Sequence, residues 1–252
     1  MVKGKRYCLI IVLLFISLVS CGGKPAVKQA EKFDPEKAFV KGNEQLEKKN
    51  YEEARTTFLE VKNRDLTKTI APLAQLKIAD SYVQEEEPER AIAEYRKFLD
   101  SYPEHQYASY AQYQIAMVYF DQIESSERGY SGAARALEEF EKLKQMFPRN
   151  PYKDIIDMKI EKSRNIIAEY EFLVGKFYYK KGSYNAAVGR FEGLLKNYPD
   201  YKEEANVLFF TGMSFRKLGQ KEKASEYLTL FMEKYPNSKL VKDAKKALSS
   251  VR

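Results

Sequence analysis

The chain has 252 residues, enough for one or two domains, and 44% of them are apolar, which is ample for a core. Glycines and prolines are few, and Ala, Leu, Lys and Glu dominate, a balance that favours an all-α protein. The formal charge of +7 falls by three, to +4, once the acid-free leader with Lys3, Lys5 and Arg6 is set aside; Lys and Glu then alternate with no separate basic block, which argues against nucleic-acid binding.

Residues 1–20 read as a secretory leader. A basic start is followed by an apolar run from Tyr7 to Val19 that is too short for a comfortable membrane span. Leu18-Val19-Ser20-Cys21 resembles the bacterial lipobox. That resemblance implies cleavage before Cys21 and acylation of the new N-terminus, with several acyl chains giving stable anchoring. Gly22, in place of the Asp associated with inner-membrane retention, implies the outer membrane, with the protein facing the periplasm. Cys8 leaves with the leader, so the mature chain has no internal disulfide to stabilise it. Residues 21–35, with two prolines and no hydrophobic period, are expected to form a lipidated, flexible tether.

Beyond the tether, one pattern recurs. Pro103, Pro148, Pro199 and Pro236 each follow an aromatic residue. Each is preceded by an alanine twelve residues earlier (Ala91, Ala136, Ala187, Ala224) and a large residue eight earlier (Tyr95, Phe140, Phe191, Leu228). Twelve residues before three of these alanines lies a small residue, Ala79, Gly175 or Gly212, with an aromatic three residues after it. An earlier copy has Gly42, Ala54 and Phe58 but lacks the proline. These positions match the tetratricopeptide repeat, in which small residues let paired helices approach and large ones fill the gaps. The expected fold is all-α: five repeats in a right-handed α-solenoid, divided as residues 36–149 (repeats one to three) and 150–252 (repeats four and five), with a capping helix from about Lys239 to Val251.

Two departures from the period carry structural meaning. In the third repeat, Ala136 follows Ala116 by twenty residues instead of twelve, so the surplus predicts a loop near Asp121 to Tyr130. Between Pro148 and Gly175 there are fourteen residues more than in the neighbouring repeats, about four helical turns. Isoleucines 155, 156, 160, 166 and 167 keep a helical rhythm there, predicting one long helix from about Tyr152 to Lys180.

Catalytic chemistry finds little support. His105 is the single histidine, read as exposed just after Pro103, so no His-based metal site or Ser/His/Asp set can be assembled. No glycine-rich phosphate loop is present, and no cofactor other than the covalent lipid on Cys21 is expected. Similarity to tetratricopeptide arrays implies a concave face lined by the first helix of each repeat, which receives extended peptides. The candidates for that groove are Phe39, Asn43, Asp80, Gln84, Tyr110, Tyr113 and Met117; neighbouring Leu76 and Phe120 fit equally well as inter-repeat core.

The segments Phe98 to His105 with Tyr110 and Tyr113, Ala168 to Tyr179 around Glu171 and Tyr178-Tyr179, and Ala187 to Gly193 resemble the BamD family, the lipoprotein subunits of the outer-membrane β-barrel assembly machinery. The resemblance covers nearly the whole chain. It implies a non-enzymatic assembly factor whose N-terminal repeats help receive unfolded outer-membrane proteins and whose C-terminal repeats dock on a BamA-like barrel subunit, alongside other lipoproteins of the complex. In the Arg-Phe-Glu-Gly motif it makes Arg190 a docking candidate, with Lys196 close by; an arginine there would pair with a carboxylate across the interface. The chain departs from some members in its short loop around Ser125, which leaves contacts made there by longer loops in question. The alternatives are a periplasmic repeat lipoprotein that scaffolds envelope or pilus machinery, and an envelope enzyme carrying a repeat domain, for which no catalytic segment remains.

Overall fold

The computed structural model describes residues 32–123 and 129–249. Among the described residues there are eleven α-helices and no strand: α1 (Pro35–Glu47), α2 (Tyr51–Arg64), α3 (Ala71–Gln84), α4 (Pro88–Ser101), α5 (Ala108–Asp121), α6 (Tyr130–Met146), α7 (Lys153–Lys180), α8 (Tyr184–Asn197), α9 (Glu204–Lys217), α10 (Lys221–Lys234) and α11 (Val241–Ser249). Each helix packs on the next, which is the solenoid order expected of five helix pairs and a cap. Cys21 and most of the expected tether lie outside the described residues. The first helix begins at Pro35, inside the tether's expected end, because Asp34 caps it by accepting a hydrogen bond from the Lys37 N–H (3.0 Å) and proline suits the first helical turn.

The pairing is held by small residues facing large ones. Gly42, Ala79, Ala116, Gly175 and Gly212 on the first helices stand opposite the buried Phe58, Tyr95, Phe140, Phe191 and Leu228 on the second. A Cβ added at Gly175 would lie 2.4 Å from the Phe191 ring, and one at Gly42 2.6 Å from Phe58. Between the paired helices, the turn needs a left-handed residue, supplied by Lys49, Glu86, Gly182 and Gly219. In each turn two backbone bonds close back on the helix, as from Gly182 N to Tyr179 O and Ser183 N to Tyr178 O. Second helices end before proline at Tyr102, Phe147, Tyr198 and Tyr235, whose N–H groups bond back to the carbonyl four residues earlier.

The first repeat has no such proline; its place is taken by the fully exposed Leu66, and Asp65 organises the turn instead. The Asp65 carboxylate accepts hydrogen bonds from the Thr67 hydroxyl and the N–H groups of Thr67, Ile70 and Ala71, tying α2 to the start of α3. Burial alone would raise this carboxyl, but those bonds outweigh it and hold it at about 2, below its ordinary 3.8. A depressed carboxyl contributes stability above the unfolded-state value and loses it as pH falls. Stability should therefore drop by on the order of 1–2 kcal/mol between about pH 4 and pH 2 through this group, a loss absent from Asp65→Asn in pH-dependent urea unfolding.

The long helix is present as α7, 28 residues and about 42 Å long, starting directly after Tyr152. It serves two cores. Ile156 and Ile160 join the cluster containing Ile115, Phe140 and Leu143, whereas Ala168 and Phe172 join the one containing Ala187 and Phe191. Ile155 faces outward. Of the expected loop near Asp121 to Tyr130, residues 124–128 lie outside the described ones. Part of the surplus is absorbed by α6, whose 17 residues exceed the 14 of α4 and α8, so Tyr130 is helical and not a loop residue. The cap α11 starts at Val241, two residues later than expected, because Ser238 to Leu240 form a turn in which the Ser238 Oγ accepts from the Leu240 N–H.

Candidate functional site

In the N-terminal repeats the structure unites two of the groove candidates with a residue outside that set. One oxygen of Asp80 on α3 accepts from the Tyr95 hydroxyl of α4 (2.6 Å) and the Tyr110 hydroxyl of α5 (3.0 Å), and its other oxygen accepts from Lys77 (3.2 Å). Burial, and then the Asp80 charge, push both tyrosine hydroxyls well above their ordinary range. Asp80 and Tyr110, both groove candidates, thus bind each other across three helices and are both partly exposed. Tyr113 stacks flat on Tyr152 with centroids 4.4 Å apart, and Met117 packs on the same core. Phe39 meets Phe58 edge-on at 5.5 Å, and Asn43 donates to the Phe39 carbonyl within α1. Gln84, at the end of α3, is exposed. Leu76 and Phe120 are buried, as inter-repeat core.

His105 differs from its expected exposure. It is half-buried, edge-on to Phe98 at 5.6 Å, and its Nδ1 accepts from the Tyr107 N–H. The turn after Pro103 folds it back over the end of α4, where an aromatic surface is available. Among the described residues no group of His, Cys, Asp or Glu has the arrangement of a metal site, and no helix is long and apolar enough to cross a membrane.

In the C-terminal repeats, Arg190 on α8 reaches Glu171 on α7, its Nη1 lying 2.9 and 3.2 Å from the two carboxylate oxygens. The Glu171 hydrogen bond and charge strengthen the guanidinium's hold on its proton. The Arg190 side chain is nevertheless 45% exposed, against 17% for Glu171. It stands in an open hollow of about 520 Å³ whose walls include Tyr130, Tyr178, Gly189 and Gly193. Nothing lies within 4 Å of where a Cβ would project from Gly189 or Gly193, so the surface of α8 is bare on both sides of the arginine. Lys196 is exposed but does not line this hollow. Six residues along an α-helix turn it about 240° from Arg190, so the two do not form one patch. Glu171, conspicuous in sequence but without a role assigned there, is the partner that sequence reasoning missed.

An array of helix pairs in which small residues face large ones, and whose open features are surface hollows, defines a helical-repeat scaffold of the tetratricopeptide type. The chain belongs to the YfiO family, described as outer membrane lipoprotein, whose model matches residues 31–230. It is similar to three proteins named outer membrane protein assembly factor BamD. The protein from Neisseria meningitidis serogroup A is 24% identical over 244 residues, covering 91% of each chain. That of Rickettsia prowazekii is 28% identical over 194 residues, 77% of each. That of Caulobacter vibrioides is 25% identical over 241 residues, 94% of this chain and 79% of the relative. Among solved structures, a tetratricopeptide repeat protein from Parabacteroides merdae aligns with a TM-score of 0.40 at 17% identity, over 89% of this chain and 86% of that one.

Proposed function

We propose that the protein is a non-enzymatic subunit of the outer-membrane protein assembly machinery. The reading rests on membership of the YfiO family and on similarity, over most of both chains, to assembly factors named BamD. In it, lipid on Cys21 holds the repeats at the periplasmic face of the outer membrane, together with the other lipoproteins of the complex. Repeats four and five dock on a BamA-like barrel subunit, with Arg190 presenting its guanidinium to a carboxylate of that subunit. The N-terminal repeats receive unfolded outer-membrane proteins; with Asp80 and Tyr110 engaged together, exposed Gln84 and the edges of Phe39, Asn43, Tyr113 and Met117 are what remain for contact. The observation that favours docking at Arg190 is a charged side chain kept nearly half exposed between two bare glycines.

Affinity purification of the lipidated full-length protein tests the reading. A barrel subunit should co-purify, and Arg190→Glu should reduce its recovery at least tenfold, since truncating or reversing a docked charge costs about 2–5 kcal/mol. Helical circular dichroism should stay intact, because the side chain lies outside the core. Absence of any barrel subunit among the stable partners, with envelope or pilus components in its place, would overturn the assembly reading.

A further inference from the structure

Repeats two, three and four share a polar contact between their paired helices, and its polarity inverts in the fourth. In repeat two, the Gln75 amide nitrogen of α3 donates to the Glu94 carboxylate of α4 at 2.8 Å, across 19 residues of sequence. In repeat three, Gln112 of α5 donates to the Glu139 carboxylate of α6 at 2.7 Å, across 27 residues, the difference being the eight-residue surplus. Gln75, Gln112 and Glu139 are buried, and each contact is closed by a cation from the preceding repeat. Lys62 reaches the Gln75 carbonyl oxygen at 2.5 Å, and Arg96 reaches Glu139 at 3.0 Å. In both sets the carboxylate and the cation come from within the chain, although the Gln112 carbonyl oxygen is left buried without a partner.

Glu171 and Arg190 occupy the same register in repeat four, again 19 residues apart. Here the first helix carries the acid and the second carries the cation. Both contacts to Glu171 use Nη1 alone, whereas a guanidinium has five N–H donors in a rigid fork. The side chain, 45% exposed, lines the hollow together with Gly189 and Gly193. A long, unanchored arginine samples many rotamers and loses that freedom on docking. One nitrogen tied to the mostly covered Glu171 removes part of that loss beforehand.

We infer that Glu171 is a positioning residue for docking. It fixes Arg190 by one nitrogen, so that the free edge of the fork receives an acidic group of the partner in a set that only the complex completes. The inference rests on the docking reading of Arg190 given above. Its cost is electrostatic: the Glu171 charge partly cancels the field that steers an acidic partner, so the two effects act on different rate constants. Steering governs association, and the quality of the contact governs dissociation.

The test is binding kinetics between the folded full-length protein and the purified periplasmic domains of the barrel subunit, for wild type, Glu171→Gln, Arg190→Ala and the exchanged pair Glu171→Arg with Arg190→Glu, each with a thermal unfolding curve. Positioning predicts that Glu171→Gln dissociates roughly threefold to tenfold faster while associating as fast as wild type or faster. The exchanged pair should recover thermal stability but not binding. Binding by Glu171→Gln as tight as wild type, with Arg190→Ala still weak, would overturn the inference and leave the docking site standing. Recovery of binding by the exchanged pair would reduce the contact to a structural one and also overturn it. Unimpaired binding by Arg190→Ala would remove the docking site itself, and the inference with it.

Discussion

Phe191→Ala should destabilise the protein by about 3–5 kcal/mol, a large share of the roughly 5–15 kcal/mol that holds a typical domain folded. Phe191 is fully buried where α7, α8 and α9 meet, its ring 6.0 Å from that of Phe172 and 6.2 Å from that of Phe210. Gly175 lies directly against it and has no side chain to fill the space that truncation leaves. In a solenoid each repeat is stabilised by its neighbours, so this damage should be local. The core built on Phe98, Ile115 and Phe140 belongs to a different cluster. Urea unfolding of the variant should therefore separate into two transitions, with hydrogen exchange showing early opening of α8 and α9 while α3 to α5 stay protected. A single transition with an unchanged midpoint would contradict this account of the core.

Gly175→Val is the complementary case, a side chain added where there is no room. Even its Cβ would sit 2.4 to 2.9 Å from three atoms of the Phe191 ring. The ring is enclosed and cannot yield, so the expected loss is about 3 kcal/mol or more, the upper range for overpacking. Helix propensity works in the opposite direction, since replacing glycine inside a helix gains about 0.5–1 kcal/mol when space allows. Gly193 provides that comparison one helix away, with nothing within 4 Å of its Cβ position. Gly193→Ala should raise the urea midpoint while Gly175→Val lowers it. Opposite signs for two helical glycines separate close packing from backbone entropy in one experiment.

Much of the architecture was legible because it is written locally. The prolines mark helix ends through a steric rule that acts on adjacent residues, and the pairing of Gly175 with Phe191 follows from a fixed spacing around a short turn. The long α7 could be foreseen because fourteen surplus residues with an isoleucine rhythm have few other ways to bury themselves. The candidate sites were less legible. Asp80 and Tyr110 are 30 residues apart and meet only because α4 brings Tyr95 between them, so their mutual hydrogen bonds do not show in either helix's pattern. Lys196 is near Arg190 in sequence and faces elsewhere, since nearness along a helix is not nearness on its surface. Glu171 could have been found: its separation from Arg190 equals that of Gln75 from Glu94, a regularity that gains meaning once both contacts are seen.

By itself, the sequence determined the helical class, the number of repeats, the register of small and large residues and the likeness to an outer-membrane lipoprotein family, because each depends on spacings within one or two helices. Tertiary structure decided which polar residues are satisfied within the chain and which stand open, because that depends on side chains brought together from separate helices. On that account Asp80 is engaged inside the array, and Arg190, held from behind by Glu171 and flanked by bare glycine, faces outward.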